Sequence, residues 1–399
     1  PTTNHASTTL SSTYRSYNLV SVLYGVYNPI RVNAHNTVTG TLSQSTSDLQ
    51  GVWITDAVKQ AWSDGWTGKN VKIGVIDDFT VDSMSDLMRI PIPAGSSVVE
   101  LNGQRVSLYA DGTMYVRLTH GDQVSMIAGG SKDNYIGLFT LSGGWSDGSD
   151  RGTFNAVANL SIDFSEPFFG VAKDADVYRN DFLTYQSNTN GLFSQMKLWG
   201  LGSDSSSNLY RNLGVVNLSL GGTSSNPIVN NRTFQHHLAY ANSTKVPDAV
   251  FVKAAGNSSC AINLKGCDPL NAVLYNSPNY KEKTIIVGAL NQAGGTIATY
   301  SNKAGAYADR FLVADGRGIL NPTNGTYDKG TSFAAPRVSG YAAILRQKFP
   351  NLNSEKTASI LLDTASYETL ACGATCAPSI YGQGEASLSR SLAPVGALR

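Results

Sequence analysis

Five short runs of apolar, mostly β-branched residues recur along the chain and are separated by segments with helical spacing. The runs are Val71–Ile76, Ala175–Tyr178, Val215–Leu220, Ala249–Ala255 and Thr284–Ala289. Runs that lack strict polar–apolar alternation are typical of parallel strands buried on both faces. Helices are predicted at Val52–Trp66, Gln195–Leu201, Phe234–Ala241 and Gly330–Phe349, and a further helix start at His120. The pattern predicts an α/β fold, doubly wound, with a mostly parallel sheet and helices on both faces.

Three other segments follow different patterns. A hairpin is predicted from Val106–Tyr109 and Met114–Leu118, because the Asp-Gly pair between them favours a tight turn. Ser131–Pro167 is rich in Gly, Ser and Asp, which predicts an inserted loop region. Residues 1–50 are rich in Thr, Ser and Asn and are interpreted as an N-terminal extension or the remnant of a pro-segment.

Composition narrows the possible partners. The chain has 399 residues, of which 41% are hydrophobic, so it can bury a substantial core. Its 30 basic and 29 acidic side chains give a formal charge of +1, which offers no attraction to nucleic acid or to an anionic membrane. No apolar run approaches the roughly 18 residues that a membrane helix needs. We therefore expect a monomer without a nucleic-acid partner, and no membrane insertion by this segment.

The four cysteines form two close pairs, Cys260/Cys267 and Cys372/Cys376. The spacing of the first pair fits a zinc site poorly, because zinc ligands usually come as shorter pairs with further partners. Two local disulfides in an oxidising compartment are predicted instead, although three connectivities are open on the sequence alone.

Ser332 stands at the start of the predicted helix Gly330–Phe349, and its position has two interpretations. A serine hydroxyl there can cap the helix by accepting a free backbone N–H. It can also act as a nucleophile, because the positive end of the helix favours developing negative charge. Taken alone, the position favours the cap.

Three other polar residues occupy comparable places. Asp77 and Asn257 follow predicted strands, where sites collect in open α/β sheets, and His120 opens a predicted helix. Singly, Asp77 suits a turn or cap, and a lone histidine at a helix start is usually structural. Together with Ser332 they supply a nucleophile, a base, an orienting carboxylate and an oxyanion donor, in the chain order Asp, His, Ser.

The segments VKIGVIDD, THGDQVSMIAGG, VVNLSLGG, VKAAGN and GTSFAAPRVSG resemble the ordered motif set of the subtilisin-like serine proteases, the subtilases. The resemblance runs from about Val52 to Leu388. Residues 51–390 are accordingly interpreted as a subtilisin-like catalytic domain, and residues 391–399 as the start of a C-terminal linker.

The resemblance implies a secreted serine endopeptidase that hydrolyses peptide bonds of protein substrates through an acyl-enzyme. It implies Ser332 as the nucleophile, His120 as general base and then acid, Asp77 as orienting carboxylate and Asn257 as oxyanion donor. It further implies that Ser219, Leu220 and Gly221 form an edge that binds protein or peptide substrates as an extended strand. No cofactor is expected for catalysis.

Asp78 and Asp122 depart from the family's usual pattern. Subtilases usually have Ser or Thr after the catalytic Asp, whereas this chain has Asp78, as in the kexin-like branch. Asp78 is predicted to favour Lys or Arg at the substrate's second position, and a local turn or calcium role is the alternative. The His-Gly-Asp sequence replaces the commoner His-Gly-Thr, which places Asp122 near the catalytic imidazole.

Two other functions compete with the protease assignment. A binding module with a degenerate protease fold would not need all four chemical groups. An acyl hydrolase of another fold would need a Gly-x-Ser-x-Gly elbow, and Ser332 lies in Gly-Thr-Ser-Phe-Ala instead. A serine-carboxyl relative would have Glu in place of His120.

The tail YGQGEASLSRSLAPVGALR is similar to the end of protease passenger domains in bacterial autotransporters. This similarity, with the predicted disulfides, implies an extracellular or bacterial cell-surface location. The family often binds structural calcium, but the chain has no D-x-D-x-D-G loop, and Ser146–Asp150 is the candidate segment. No metal ligand is assigned.

Overall fold

The computed structural model describes residues 3–11, 18–19, 30–32, 38–39, 41–45, 51–77, 97–101, 104–108, 114–117, 120–129, 131–147, 150–181, 213–221, 232–243, 246–262, 267–321 and 326–393. Its central element is a six-stranded parallel sheet. The strands are β1 (Lys72–Asp77), β2 (Asp176–Asp181), β3 (Val215–Leu218), β4 (Val250–Ala254), β5 (Thr284–Leu290) and β6 (Phe311–Asp315). Their order is β2-β1-β3-β4-β5-β6, and all adjacent pairs are parallel.

Helices cover both faces of this sheet. They are α1 (Asp56–Ser63), α2 (His120–Ala128), α3 (Arg232–Ser243), α4 (Pro269–Asn276), α5 (Thr331–Lys348), α6 (Ser354–Asp363), α7 (Pro378–Tyr381) and α8 (Leu388–Leu392). Single 3₁₀ turns lie at Lys281–Lys283, Gly305–Arg310 and Gly373–Thr375. One apolar core joins the sheet to α1, α2, α5, α6 and α8, and a second joins it to α3, α4 and α7. The predicted doubly wound α/β fold is confirmed.

The strands alternate between the two cores because successive side chains point to opposite faces. Val215 lies in the first core and Val216 in the second, and Val250 and Phe251 divide in the same way. Every residue of β3, β4, β5 and β6 is buried. This double burial explains why these strands are mostly apolar, with one buried polar residue in each: Asn217, Lys253, Thr284 and Asp315.

Strand β6 was not predicted, because its apolar run is short and has a charged residue at each end, Arg310 and Asp315. The structure neutralises both charges. Arg310 contacts Glu282 and the Thr284 carbonyl, and Asp315 pairs with Arg317 at 2.6 Å. Glu282 and Thr284 are distant from Arg310 in the sequence, whereas Arg317 lies two residues after Asp315. A charged residue at each end of the run is not typical of a buried strand, so the local pattern did not indicate one.

The predicted helix Val52–Trp66 is shorter than expected. Thr55 Oγ1 accepts a hydrogen bond from the Val58 N–H at 3.4 Å, so the helix begins at Asp56. Trp53 precedes the helix but is 1% exposed, and its indole N–H donates to the Phe169 carbonyl at 3.1 Å. The buried Trp53 lies at a position that fits the helical spacing of apolar residues, and the predicted helix therefore began too early. The predicted helix Gln195–Leu201 lies outside the described residues.

The expected loop over Ser131–Pro167 is wrong. Its backbone forms two long antiparallel strands, Ser131–Asp147 and Asp150–Phe169, and Thr3–Ser11 pairs with the second strand. Thr41–Ser45 completes this sheet. Local composition failed here because strand formation depends on pairing, here within a hairpin that turns at Asp147–Asp150 and against Thr3–Ser11, and Gly, Ser and Asp content does not show that pairing.

The hairpin near residue 110 is confirmed as Gln104–Leu108 paired with Met114–Arg117. Further strands of that sheet are Ser97–Leu101, Asn18–Leu19, Ile30–Val32 and Val38–Thr39. Arg317–Asn321 pairs with Thr326–Lys329 in a separate two-stranded ribbon. The domain boundaries at residues 50 and 390 stay predictions, and residues 394–399 of the predicted linker lie outside the described part of the chain.

Candidate active site

Asp77 and His120 meet at the carboxyl end of the sheet. Asp77 ends β1 and is 2% exposed, whereas His120 opens α2 with its side chain 23% exposed. His120 Nδ1 lies 2.6 Å from Asp77 Oδ1. Because a carboxylate can only accept, Nδ1 carries the proton in this pair, which leaves Nε2 as the nitrogen able to accept a proton.

Ser332 is the second residue of α5 and does not cap it. The N-cap is Gly330, whose φ of 175° is extended backbone, and the helix begins at Thr331. Ser332 Oγ donates to the Ser219 carbonyl at 3.2 Å, and Ser219 Oγ donates back to the Ser332 carbonyl at 2.9 Å. The capping interpretation of Ser332 is therefore wrong, because the helix starts one residue before this serine.

The imidazole lies beside the same helix start. The rings of His120 and Phe333 have centroids 5.7 Å apart, and Phe333 directly follows Ser332. Helices α2 and α5 pack together in the first core through Val124, Ile127 and Val338, among others. This packing brings the histidine and the serine to one end of the sheet.

Asn257 performs the capping that the sequence assigned to Ser332. Its Oδ1 accepts from the Thr331 backbone N–H and from Thr331 Oγ1, each at 3.0 Å. The Gly256 N–H donates to the same Thr331 hydroxyl at 3.0 Å, and Gly256 has a φ of +102°, a conformation that favours glycine. The two bonds from Thr331 are accepted by Oδ1 and fix the orientation of the amide. Nδ2 takes no part in holding Thr331.

Asn302 holds the loop that carries Asn257. Its Nδ2 donates to the Ala255 carbonyl at 2.8 Å, and its Oδ1 accepts from the Ser258 N–H at 2.9 Å. Asn302 is fully buried, and its own N–H donates to the Gly256 carbonyl at 2.9 Å. The loop is thus bonded on both sides of Asn257.

A buried polar chain supports Ser219. Asn217 Nδ2 donates to Ser219 Oγ at 2.9 Å, and Ser339 Oγ donates to Asn217 Oδ1 at 2.9 Å. Ser219 is 3% exposed, Leu220 is half-buried and Gly221 is exposed. The segment therefore leaves β3 as a backbone edge that is anchored at its start and reaches the surface.

Asp328 adds a carboxyl near the imidazole. It lies in Thr326–Lys329, four residues before Ser332, and is half-buried. Burial raises the pKa of Asp328, while the charge of His120 and a hydrogen bond with Gln123 act in the opposite direction. A negative Asp328 favours a positively charged His120 in turn.

Sequence reasoning missed several residues of this site. Thr331 and Asn217 lie inside the quoted motifs GTSFAAPRVSG and VVNLSLGG, so attention to every polar residue in them would have found both. Asn302 and Asp328 had no comparable signal, because their importance comes from contacts made in the folded chain. Asp78 and the side chain of Asp122 lie outside the described residues.

The predicted local disulfides are confirmed. Cys260 pairs with Cys267 and Cys372 with Cys376, with Cα–Cα distances of 6.0 and 5.2 Å. Within the described side chains, no group of three or more His, Cys, Asp and Glu residues is arranged to hold a metal ion. Structural calcium stays a prediction, and the side chains of Ser146–Asp150 lie outside the described part. No helix in the described ranges has both the length and the apolar character to cross a membrane.

Comparison with known proteins places the chain among proteases. Residues 68–384 match the model of the Subtilase family. The chain is 26% identical to Subtilisin DY of Bacillus licheniformis over 309 residues, covering 76% of this chain and 86% of that protein. It is 27% identical to Subtilisin E of Bacillus subtilis over 311 residues, covering 76% of this chain and 63% of that protein.

A solved structure gives the same fold. The Prenylagaramide maturation protease PagA superposes with a TM-score of 0.50 at 19% identity, covering 85% of this chain and 98% of that one. The family match covers most of the chain, including the segments that carry Asp77, His120, Asn257 and Ser332. The chain belongs to the Subtilase family and is a subtilisin-like serine peptidase.

Proposed function

We propose that this peptidase is a serine endopeptidase whose acyl-enzyme forms on Ser332, with His120 as base, Asp77 as orienting carboxylate and Asn257 as oxyanion donor. The observation that carries the proposal is the 2.6 Å contact between His120 Nδ1 and Asp77 Oδ1 at the same sheet edge as Ser332. A histidine held through Nδ1 presents Nε2 as a base, which is the arrangement that activates a serine.

Acylation begins when Ser332 Oγ attacks the scissile carbonyl and its proton passes to His120 Nε2. Asp77 keeps the imidazole in the correct tautomer and stabilises its positive form. For this step the hydroxyl turns from the Ser219 carbonyl, its partner at 3.2 Å, toward the imidazole. Such contacts often become short only when substrate is bound.

Negative charge then develops on the carbonyl oxygen. Asn257 Nδ2 and the backbone N–H of Ser332 are the proposed donors to this oxyanion. The two bonds from Thr331 to Asn257 Oδ1 support the assignment, because they hold the amide before the reaction starts. His120 next protonates the leaving amine, and a water molecule hydrolyses the acyl-enzyme by the same route in reverse.

Peptide substrates are proposed to bind as an extended strand along Ser219, Leu220 and Gly221. Main-chain hydrogen bonds to such an edge hold a peptide whatever its side chains are. The anchored Ser219 and exposed Gly221 support this role. Asp78 is proposed to favour Lys or Arg at the second substrate position, and a peptide series that is unchanged by Asp78→Ser would remove that assignment.

Labelling with a fluorophosphonate probe, followed by mass mapping of the labelled peptide, tests the proposal directly. We expect label on Ser332 in the wild type, none in Ser332→Ala, and normal labelling in the control Ser389→Ala, which removes an exposed serine of α8. An internally quenched peptide blocked at both ends should be cleaved by unlabelled wild type and Ser389→Ala, and not by Ser332→Ala. A folded wild type that takes no label would contradict the proposal and favour a binding module.

We also propose that the protein acts outside the cell or at a bacterial cell surface. Both cysteine pairs form disulfides, which persist in oxidising compartments. The resemblance of the C-terminal tail to autotransporter passenger domains also supports a location outside the cell or at its surface. Alkylation of protein from intact cells should find no free thiol, and recovery of the reduced protein in the cytosol would contradict this location.

A further inference from the structure

If substrates bind as described under the proposed function, Gly221 and Gly256 flank the space beside the scissile bond. In that function the substrate backbone lies along Ser219–Gly221 and its scissile carbonyl faces Asn257. The side chain of the residue that supplies this carbonyl therefore enters the space between the edge segment and the loop before Asn257. Each of these two segments has a glycine where it borders that space, so their backbones form its walls.

A buried ion pair lies directly beneath Gly221, and its carboxylate residue also lies close to Gly256. A Cβ placed on Gly221 would overlap the Asp268 carboxylate and would lie 3.3 Å from Lys253 Nζ. A Cβ placed on Gly256 would meet Asn302 Nδ2 at 2.5 Å and would lie 3.7 Å from Asp268 Cβ. Lys253 is fully buried and Asp268 is 3% exposed, so the space below the two glycines is filled.

The contacts of this pair hold it in place. Lys253 Nζ lies 2.7 Å from Asp268 Oδ2 and donates to the Ala254 carbonyl at 2.5 Å. Asp268 also caps α4, because its Oδ1 accepts from the Leu270 N–H at 3.0 Å. The disulfide between Cys260 and Cys267 ends one residue before Asp268. A substrate side chain would have to break several of these contacts to go deeper.

The charges of the pair compensate each other. Asp268 therefore offers no unpaired negative charge to a basic substrate residue, and Lys253 offers no unpaired positive charge to an acidic one. A large apolar side chain would meet the charged atoms of this pair, which removes the gain from burial. A small uncharged side chain avoids all three conflicts.

We propose that the Lys253–Asp268 pair forms the floor of a shallow pocket and selects Gly, Ala or Ser at the residue that supplies the scissile carbonyl. Lys253 and Asp268 are specificity residues in this assignment and take no part in bond breaking. Lys253 lies four residues before Asn257, and Asp268 lies between the disulfide and α4, so the chain itself joins the pocket floor to the proposed oxyanion site.

The first test uses the wild type with a peptide library in which only that residue varies. We expect kcat/KM for Ala or Ser to exceed that for Phe, Lys or Glu at least tenfold. A preference for Phe or Leu, for Lys or Arg, or for Glu would overturn the proposal. Fluorophosphonate labelling of Ser332 is measured in parallel, because a failure to label refutes the catalytic assignment and a labelled enzyme with the wrong preference refutes only the pocket.

The second test removes both charges together in Lys253→Ala/Asp268→Ser. Serine retains a side chain that can cap α4, while the floor becomes deeper and neutral. Relative kcat/KM for Phe or Leu over Ala should rise at least tenfold. A folded, labelled double variant with an unchanged preference would overturn the proposal, and if the variant does not fold, the wild-type library decides.

Two single variants sharpen the result. Lys253→Met leaves Asp268 without its cation, so cleavage after Lys or Arg should rise at least tenfold relative to Ala. The control Arg346→Ala breaks an ion pair with Asp248, 3.1 Å apart near the far end of α5, and should leave the preference as in the wild type. A folded Lys253→Met that gains no basic preference would contradict the placement of Asp268 at the floor.

Discussion

Thr331 connects the start of α5 to the proposed oxyanion donor, and replacing it by Val removes that connection at nearly constant volume. Its hydroxyl donates to Asn257 Oδ1 and accepts from the Gly256 N–H, both at 3.0 Å. The backbone N–H of Thr331 still holds Asn257 Oδ1 in the variant, also at 3.0 Å. The amide of Asn257 therefore keeps one of its two anchors.

The size of the effect follows from these bonds. A net hydrogen bond contributes about 0.5–1.5 kcal/mol, which corresponds to about a 2- to 12-fold change in rate. Loss of a whole oxyanion donor in a serine protease costs about 10²–10³ in kcat. Thr331→Val should thus lower kcat by about 2- to 12-fold, with little change in KM because the oxyanion exists only in the transition state.

Stability should change as well. Thr331 is fully buried, and the variant leaves the Gly256 N–H without its acceptor. A buried donor without a partner costs about 1–3 kcal/mol, which a urea titration would measure. Thr331→Ser is the matched control, because it retains the hydroxyl and should keep kcat near the wild-type value.

A double-mutant cycle decides whether Thr331 acts through Asn257. Steady-state kinetics on a chromogenic peptide, normalised to fluorophosphonate-reactive sites, would be measured for Thr331→Val, Asn257→Ala and the double variant. If Thr331 only positions the amide, its effect should vanish in the Asn257→Ala background. Equal effects of Thr331→Val in both backgrounds would refute the reasoning.

Three further outcomes are expected. Asp77→Asn should lower kcat by about 10⁴ with the fold intact, and a loss below tenfold would contradict its role. Because burial raises the pKa of Asp328, its contribution to stability is present at low pH and lost as pH rises through that pKa, so Asp328→Asn should be more stable than wild type near pH 7 but not near pH 3. The same variant removes a negative charge near the imidazole, so the acid limb of kcat/KM should move to lower pH. Arg337, which is 3% exposed and lies 3.5 Å from Asp315, should cost about 3 kcal/mol when changed to Met, whereas the exposed Arg390→Met should cost less than about 1 kcal/mol in the same denaturant titration.

Local pattern predicted most of the central sheet because burial on both faces leaves a continuous apolar run in the sequence. Strands β1, β3, β4 and β5 were all found within a few residues. Strand β6 was missed, since its short apolar run is bounded by Arg310 and Asp315, whose charges are neutralised in the structure by the distant Glu282 and by the neighbouring Arg317. Ser131–Pro167 was misread as a loop because its Gly, Ser and Asp content does not show that its two strands pair as a hairpin and join Thr3–Ser11.

The main residues of the candidate site could also be chosen from local sequence patterns. Asp77, His120, Asn257 and Ser332 could be chosen from sequence because each ends a strand or opens a helix within a contiguous motif. Parallel strands β1, β3 and β4 then bring their carboxyl ends together, which makes convergence at one edge a consequence of the predicted fold.

The sequence by itself determined the fold class, the family and the four proposed catalytic positions, because these depend on local periodicity and on motifs in order. Only the tertiary structure decided that Asn257 rather than Ser332 caps α5, and that Lys253 pairs with Asp268 beneath Gly221. Such contacts join residues whose separation along the chain has no fixed relation to their distance in space. They depend on how strands, helices and loops pack, and local sequence carries no signal of that packing.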